Sequence, residues 1–156
     1  MNEVSNVPKS AFLIGPDAAP PHKECIKTKI SNIYHVWQNN GRGWFATYFN
    51  IGRVPPNTFF TFSIDIKRVN IEGGAHARLY TTRLSDGNWG AGNDYSETGV
   101  FIDLKDGWKR EFHTIKTKDY SDILLSGWIV AWDYGQAGGH IYVCNPKLEI
   151  GDKPTL

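Results

Sequence analysis

Between Thr58 and Ile66 the chain alternates with a period of two. Phe60, Phe62, Ile64 and Ile66 fall on one side of a pleat, and Thr61, Ser63 and Asp65 on the other. That is the pattern of a half-buried antiparallel strand. Further stretches of strand character are Ile26–Val36, Gly43–Ile51, His76–Arg83, Gly99–Leu104, Arg110–Lys116, Gly127–Trp132 and His140–Leu148. Helical periodicity is almost absent, and Lys118 to Leu125, a short acidic turn, is the one helix-like stretch. Asn39-Asn40-Gly41, Pro55-Pro56-Asn57, Glu72-Gly73-Gly74, Ser85-Asp86-Gly87-Asn88, Asp106-Gly107 and Gly138-Gly139 supply the positive-φ or fixed-φ corners between them. The pattern predicts an all-β, antiparallel β-sandwich or jelly roll of about eight or more strands.

A length of 156 residues suits one domain. Residues 1–23, with Pro8, Pro16, Pro20 and Pro21, are expected to form an extended lead-in or linker, and 24–156 the sandwich. A net charge of +1, with no basic run beyond Lys67-Arg68 and Lys109-Arg110, argues against a nucleic-acid partner. No apolar stretch approaches the roughly 20 residues of a bilayer span, so no membrane insertion is expected. Met1 to Asp17 has no basic region followed by an apolar run, so it does not read as a signal peptide. On that basis Cys25 and Cys144 are expected to be buried free thiols. Neither has the spacing of a zinc ligand.

The six tryptophans and seven tyrosines are what remain to be explained. Some fill the core. Others present flat faces to a ligand with an apolar face of its own, most often a sugar ring. Period-two logic puts Phe45, Phe49 and Ile51 on one face and Trp44 and Tyr48 on the other. In the same way Ala77 and Leu79 point inward and His76, Arg78 and Tyr80 outward. Trp128 is expected in the core because Val130 shares its parity, and Trp108 in core or edge packing. Trp132 and Tyr134 emerge with Asp133 at a strand end, and Trp37 stands at a rim before Gln38-Asn39-Asn40. The long stretch Ser85 to Thr98 reads as a loop carrying Trp89, Asn93 and Tyr95, with amides and carboxylates that suit sugar hydroxyls. The candidate ligand-binding set is therefore Trp37, Trp44, Tyr48, Arg78, Trp89, Asn93, Tyr95, Trp132, Asp133 and Tyr134.

Catalysis has little to stand on. Glycoside hydrolysis needs two carboxylates across a cleft, and only Asp94 with Glu97, or Asp65 with Asp133, offer themselves. There is no Gly-x-Ser-x-Gly elbow, HExxH or phosphate loop, and the five histidines lack ligand spacing. No enzymatic activity is expected.

Three passages carry a resemblance. Asn145-Pro146-Lys147-Leu148-Glu149-Ile150-Gly151-Asp152-Lys153-Pro154-Thr155 resembles the closing strand of jelly-roll modules in phage tail and baseplate proteins. Val54-Pro55-Pro56-Asn57-Thr58-Phe59-Phe60-Thr61-Phe62-Ser63 and Asp106-Gly107-Trp108-Lys109-Arg110 are similar to strand entries of the same modules. The resemblance implies a galactose-binding-like, carbohydrate-binding-module sandwich in the virion, contacting host-surface glycan and other tail or baseplate subunits, with a homotrimer in keeping with tail fibres. It also implies a rival: a structural virion domain whose outward aromatics pack against a neighbouring subunit, with no sugar ligand. Bacterial relatives close with paired acids that help hold calcium. Here those positions read Cys144-Asn145, so no cofactor is expected, and a calcium would have to be assembled from Glu24, Asn145 and Glu149.

Overall fold

A computed structural model describes residues 2–3, 34–38, 44–71, 74–85, 87–89, 94–132 and 139–155. The described residues form two antiparallel sheets and no helix. In chain order the strands are β1 (Asn2–Glu3), β2 (Tyr34–Gln38), β3 (Trp44–Val54), β4 (Phe59–Val69), β5 (Ala75–Arg83), β6 (Asn88–Trp89), β7 (Tyr95–Asp103), β8 (Trp108–Lys116), β9 (Ile123–Trp132) and β10 (His140–Ile150). One sheet runs β1-β10-β4-β8-β7, with β2 also on β10. The other runs β3-β9-β5-β6.

The two sheets close a shared core in a sandwich-like arrangement. Phe60, Phe62, Ile64 and Ile66 of β4, with Ile115, Ile141, Val143 and Leu148, meet Val54, Ala75, Ala77, Leu79, Ile123, Leu125 and Ile129 of the other sheet. The alternation of β4 thus holds in its apolar half. Its polar half differs from expectation, because Thr61, Ser63 and Asp65 are buried too. Arg110 donates to Asp65 Oδ1 at 2.9 Å, to Ser63 Oγ at 3.0 Å and to the Asn145 carbonyl at 3.1 Å. Thr61 Oγ1 bonds Thr114 Oγ1 and the Gly151 carbonyl, both at 2.8 Å. Every polar group taken from water there has a partner, which is what makes the burial tolerable.

Local chemistry fixes the breaks. Asp106 (φ 57) and Gly107 (φ 80) turn β7 into β8, with Trp108 N donating to the Lys105 carbonyl at 3.1 Å. Two consecutive positive φ angles match the twist of a hairpin. In β10 the register shifts between Cys144 and Lys147. Asn145 takes φ 54 there and Pro146 has no N–H to give, so a bulge absorbs both.

Three expectations need correction. Lys118–Leu125 is not a helical turn: Ile123 and Leu125 open β9 and are fully buried, so their alternation outweighs the acidic lead-in. Ser85–Thr98 is not one loop, since β6 interrupts it and β7 begins at Tyr95. Cys144 is not a free thiol but disulfide-bonded. Cys25, the only other cysteine, lies outside the described residues. Cys144 sits on the outer side of β10, where its neighbours are Trp108, Leu104 and Tyr142. Asn2 and Glu3 of the expected lead-in pair with Ile150 and Glu149.

Candidate functional site

In the β3-β9-β5-β6 sheet, Ala77, Leu79, Leu125 and Ile129 point into the core, so pleat alternation sends the intervening positions to the opposite face. Cross-strand register then builds rows on that face. Tyr48 stands opposite Trp128, and Trp128 opposite Arg78. The next row pairs Ala46 with Val130 and Val130 with His76, and beyond it Trp44 pairs with Trp132. On the other side Asn50, Ser126 and Tyr80 make a row, and Trp89 pairs with Thr82 at the far edge. Trp128 is therefore not a core residue, contrary to expectation. Val130 misled, because in β9 the odd positions carry Ile123, Leu125 and Ile129 into the core. The Trp128 ring is half-buried against Tyr80, with centroids 4.2 Å apart and planes at 38°.

Among the described residues β5 joins β9 along one side but meets β6 only at Thr82 and Arg83, so Ala75 to Thr81 present an edge there. Side chains of the facing sheet cap part of it. Arg68 Nε donates to the Ala75 carbonyl at 2.7 Å, and Leu79 N donates to His113 Nδ1 at 2.5 Å. Such capping blunts an edge that would otherwise template another strand. Since Nδ1 accepts, the neutral ring carries its proton on Nε2, which donates to Ser96 Oγ at 2.7 Å. Burial, with a smaller contribution from the Arg78 charge, lowers the His113 pKa to about 4.

Between the two caps lies a groove of about 100 Å³, lined by His76, Ala77, Arg78, Thr98, Glu111 and Phe112 among others. Glu111 is 5% exposed. Its Oε1 pairs with Arg68 Nη2, while Oε2 has no hydrogen-bond partner and stands 3.6 Å from His76 Nδ1. Burial alone would raise the Glu111 carboxyl, but His76 and Arg68 outweigh it and hold the pKa below its ordinary value. A carboxylate with one oxygen committed to Arg68 and the other held only loosely by His76 is thus kept ionised at the groove.

The structure gathers part of the sequence-based site. Backbone register puts Trp44, Tyr48, Arg78, Trp89 and Trp132 at positions of the same pleat parity in this sheet. Tyr95 does not join them. It pairs with Lys116 on β8 in the other sheet, packs edge-on against Phe59 at 5.3 Å and donates to Glu97, which raises its own pKa. Trp37 pairs with the core residue Ile141, also in that sheet. Asn93, Asp133 and Tyr134 lie outside the described residues. Of the acid pairs considered for catalysis, Asp94 faces Lys118 at 3.3 Å and Asp65 is locked to Arg110. Glu149 accepts from Thr155 N and Oγ1, with the Lys147 ammonium 3.7 Å away. No metal-ligand cluster occurs among the described residues. Sequence reasoning missed Trp128, Glu111, Arg68 and Thr98. Glu111 had a signal, since it shares the parity of the core residue Ile115 in β8, and a charge at core parity asks for an explanation. No protein-family model matches the chain, and no curated protein matches it in sequence.

Proposed function

We propose that the chain is a non-catalytic carbohydrate-binding module, and that its setting is the one its strand motifs resemble, host-glycan recognition by a phage tail or baseplate protein. One observation carries the binding part: register aligns Tyr48, Trp128 and Arg78 across three strands of the core-averted face, with the Trp44–Trp132 pair two rows further along it. Aromatic faces take the C–H face of a sugar ring, and a planar guanidinium beside them fixes orientation through its directed N–H groups. A disulfide at Cys144 suits a protein that works outside a reducing cytoplasm.

The test is binding of the chain to a glycan array and to host-surface polysaccharide. Trp128→Ala is expected to lower affinity roughly tenfold or more while the protein stays folded, stacking being worth on the order of 1 kcal/mol beyond the area it buries. Unchanged binding by Trp128→Ala refutes the platform. If no glycan binds and the same substitution instead converts a stable trimer to monomers in light scattering, the aromatic face serves subunit packing.

A further inference from the structure

The β5-edge groove asks for a ligand of particular chemistry. Glu111 Oε2 is buried with no partner at hydrogen-bond distance, His76 Nδ1 standing 3.6 Å away, and leaving a charged acceptor short of a close donor costs more than any one hydrogen bond returns. A group that donates to it relieves that cost. Arg68 already balances the Glu111 charge, whereas among the described residues Arg78 has only the adjacent Ala77 carbonyl, at 3.3 Å, as its hydrogen-bond acceptor. Its field reaches His113, where it opposes protonation. With Arg68 and Arg78 against one carboxylate, the corner carries a surplus positive charge. An ammonium ligand is therefore disfavoured, and a neutral polyol leaves Arg78 uncompensated. A molecule with both a hydroxyl and a carboxylate satisfies both groups. Size narrows it further: about 100 Å³ is well below the roughly 300 Å³ at which drug-sized pockets begin. One end of one sugar residue fits, but not a polysaccharide passing through. Val100, 48% exposed, and the Phe112 ring give the groove apolar walls for the C–H groups of such a residue.

We propose that this groove is a subsite for a single terminal acidic sugar, a hexuronic or nonulosonic acid, whose carboxylate pairs with Arg78 and whose hydroxyl donates to Glu111 Oε2. The sugar class rests on the carbohydrate-binding reading above. Arg78 borders the groove and also stands opposite Trp128, so a glycan stacked on the platform can end in the groove without leaving the protein.

The experiment is an amide NMR titration of the full chain with sodium glucuronate, N-acetylneuraminate and methyl glucoside. Either acid is expected to shift the amides of Ala77, Arg78 and Glu111 with millimolar affinity, and methyl glucoside to bind much more weakly. Arg78→Gln removes the charge-assisted pair and lowers acid affinity roughly tenfold or more. Glu111→Gln keeps an oxygen for Arg68 but turns a donor toward the ligand hydroxyl, so it weakens binding by a similar factor. Should that variant fail to fold, Arg78→Gln, altered at a half-buried edge position, still decides the matter. Absence of shifts at these amides with both acids overturns the proposal, as does full acid affinity in Arg78→Gln. Polysaccharide binding that Trp128→Ala abolishes and Glu111→Gln leaves intact sinks the subsite alone. Groove shifts with free glucuronate, in a chain that binds no polysaccharide, sink the carbohydrate-module reading alone.

Discussion

His113 is a pin between the two sheets that holds only while the ring is neutral. It is 4% exposed, accepts from Leu79 N through Nδ1 and donates to Ser96 Oγ through Nε2. Protonation makes Nδ1 a donor facing a donor and places a second positive charge near Arg78. Its pKa is accordingly lowered from 6.5 to about 4. The unfolded chain takes up this proton as pH drops through 6.5, and the folded chain resists until about 4, so over that interval the unfolded state binds more protons and stability falls with falling pH. The stabilisation is fully present above pH 6.5 and lost once pH is below about 4. At about 1.36 kcal/mol per pH unit the loss approaches about 3 kcal/mol, a substantial share of the about 5–15 kcal/mol that holds a typical domain.

Urea unfolding followed by tryptophan fluorescence, repeated in steps from above pH 6.5 down to about 4, measures this. His113→Gln retains a side-chain oxygen for Leu79 N but has no titrating group. It is expected to be less stable than wild type at neutral pH and to lose much less stability across the interval, so the two curves converge toward acid. Glu111, whose carboxyl is held below its ordinary value, adds a loss in the same direction at lower pH in both proteins. A stability difference between wild type and His113→Gln that stays constant across the interval would refute the linkage. So would an NMR titration placing His113 near 6.5.

Two other substitutions probe the outer side of the six-stranded sheet. Arg110→Met takes the guanidinium away from the buried Asp65 carboxylate, which keeps Asn145 Nδ2 at 3.2 Å. Breaking a buried pair from one side costs about 3–5 kcal/mol, readable as a lowered urea midpoint. Asn145→Ala loses that amide donor and must hold φ 54 with a Cβ that disfavours it. Together these cost about 2 kcal/mol, and Asn145→Gly is expected to recover the backbone part in a thermal melt.

Most of the architecture was legible because alternation is local. Seven of the strand-like stretches correspond to β3, β4, β5, β7, β8, β9 and β10, and Ile26–Val36 overlaps β2 only at its end, the rest lying outside the described residues. Parity failed where one strand carries apolar residues on both faces. Trp128 with Val130 looked like a core pair, yet Ile123, Leu125 and Ile129 were the buried set. It failed again where polar residues are buried in a network: Thr61, Ser63 and Asp65 read as solvated because their partners Thr114, Arg110 and Asn145 lie 45 to 80 residues away in sequence. The groove depends on four strands meeting at one corner. No window of sequence contains Arg68, Arg78, Thr98 and Glu111 together, and only the anomalous charge at a core position in β8 hinted at it.

The contrast between the two outer faces decides where a ligand can dock. On the six-stranded sheet the polar groups of β4, β8 and β10 satisfy one another, with Arg110 spending its donors on Asp65, Ser63 and Asn145 and Glu149 committed to Thr155. A ligand there would have to break bonds already made. On the four-stranded sheet Trp128 is half-buried and Arg78 lacks an acidic partner in any ion pair among the described residues. Glu111 Oε2, just around the β5 edge, has no donor closer than His76 Nδ1 at 3.6 Å among the described residues. Rings that stack without discriminating and ionic groups that discriminate without supplying much area are complementary, and Arg78 is the residue that belongs to both. On the carbohydrate-binding reading proposed above, affinity would come from the rows across β3, β9 and β5, and selectivity from the single corner where β5 leans on β8.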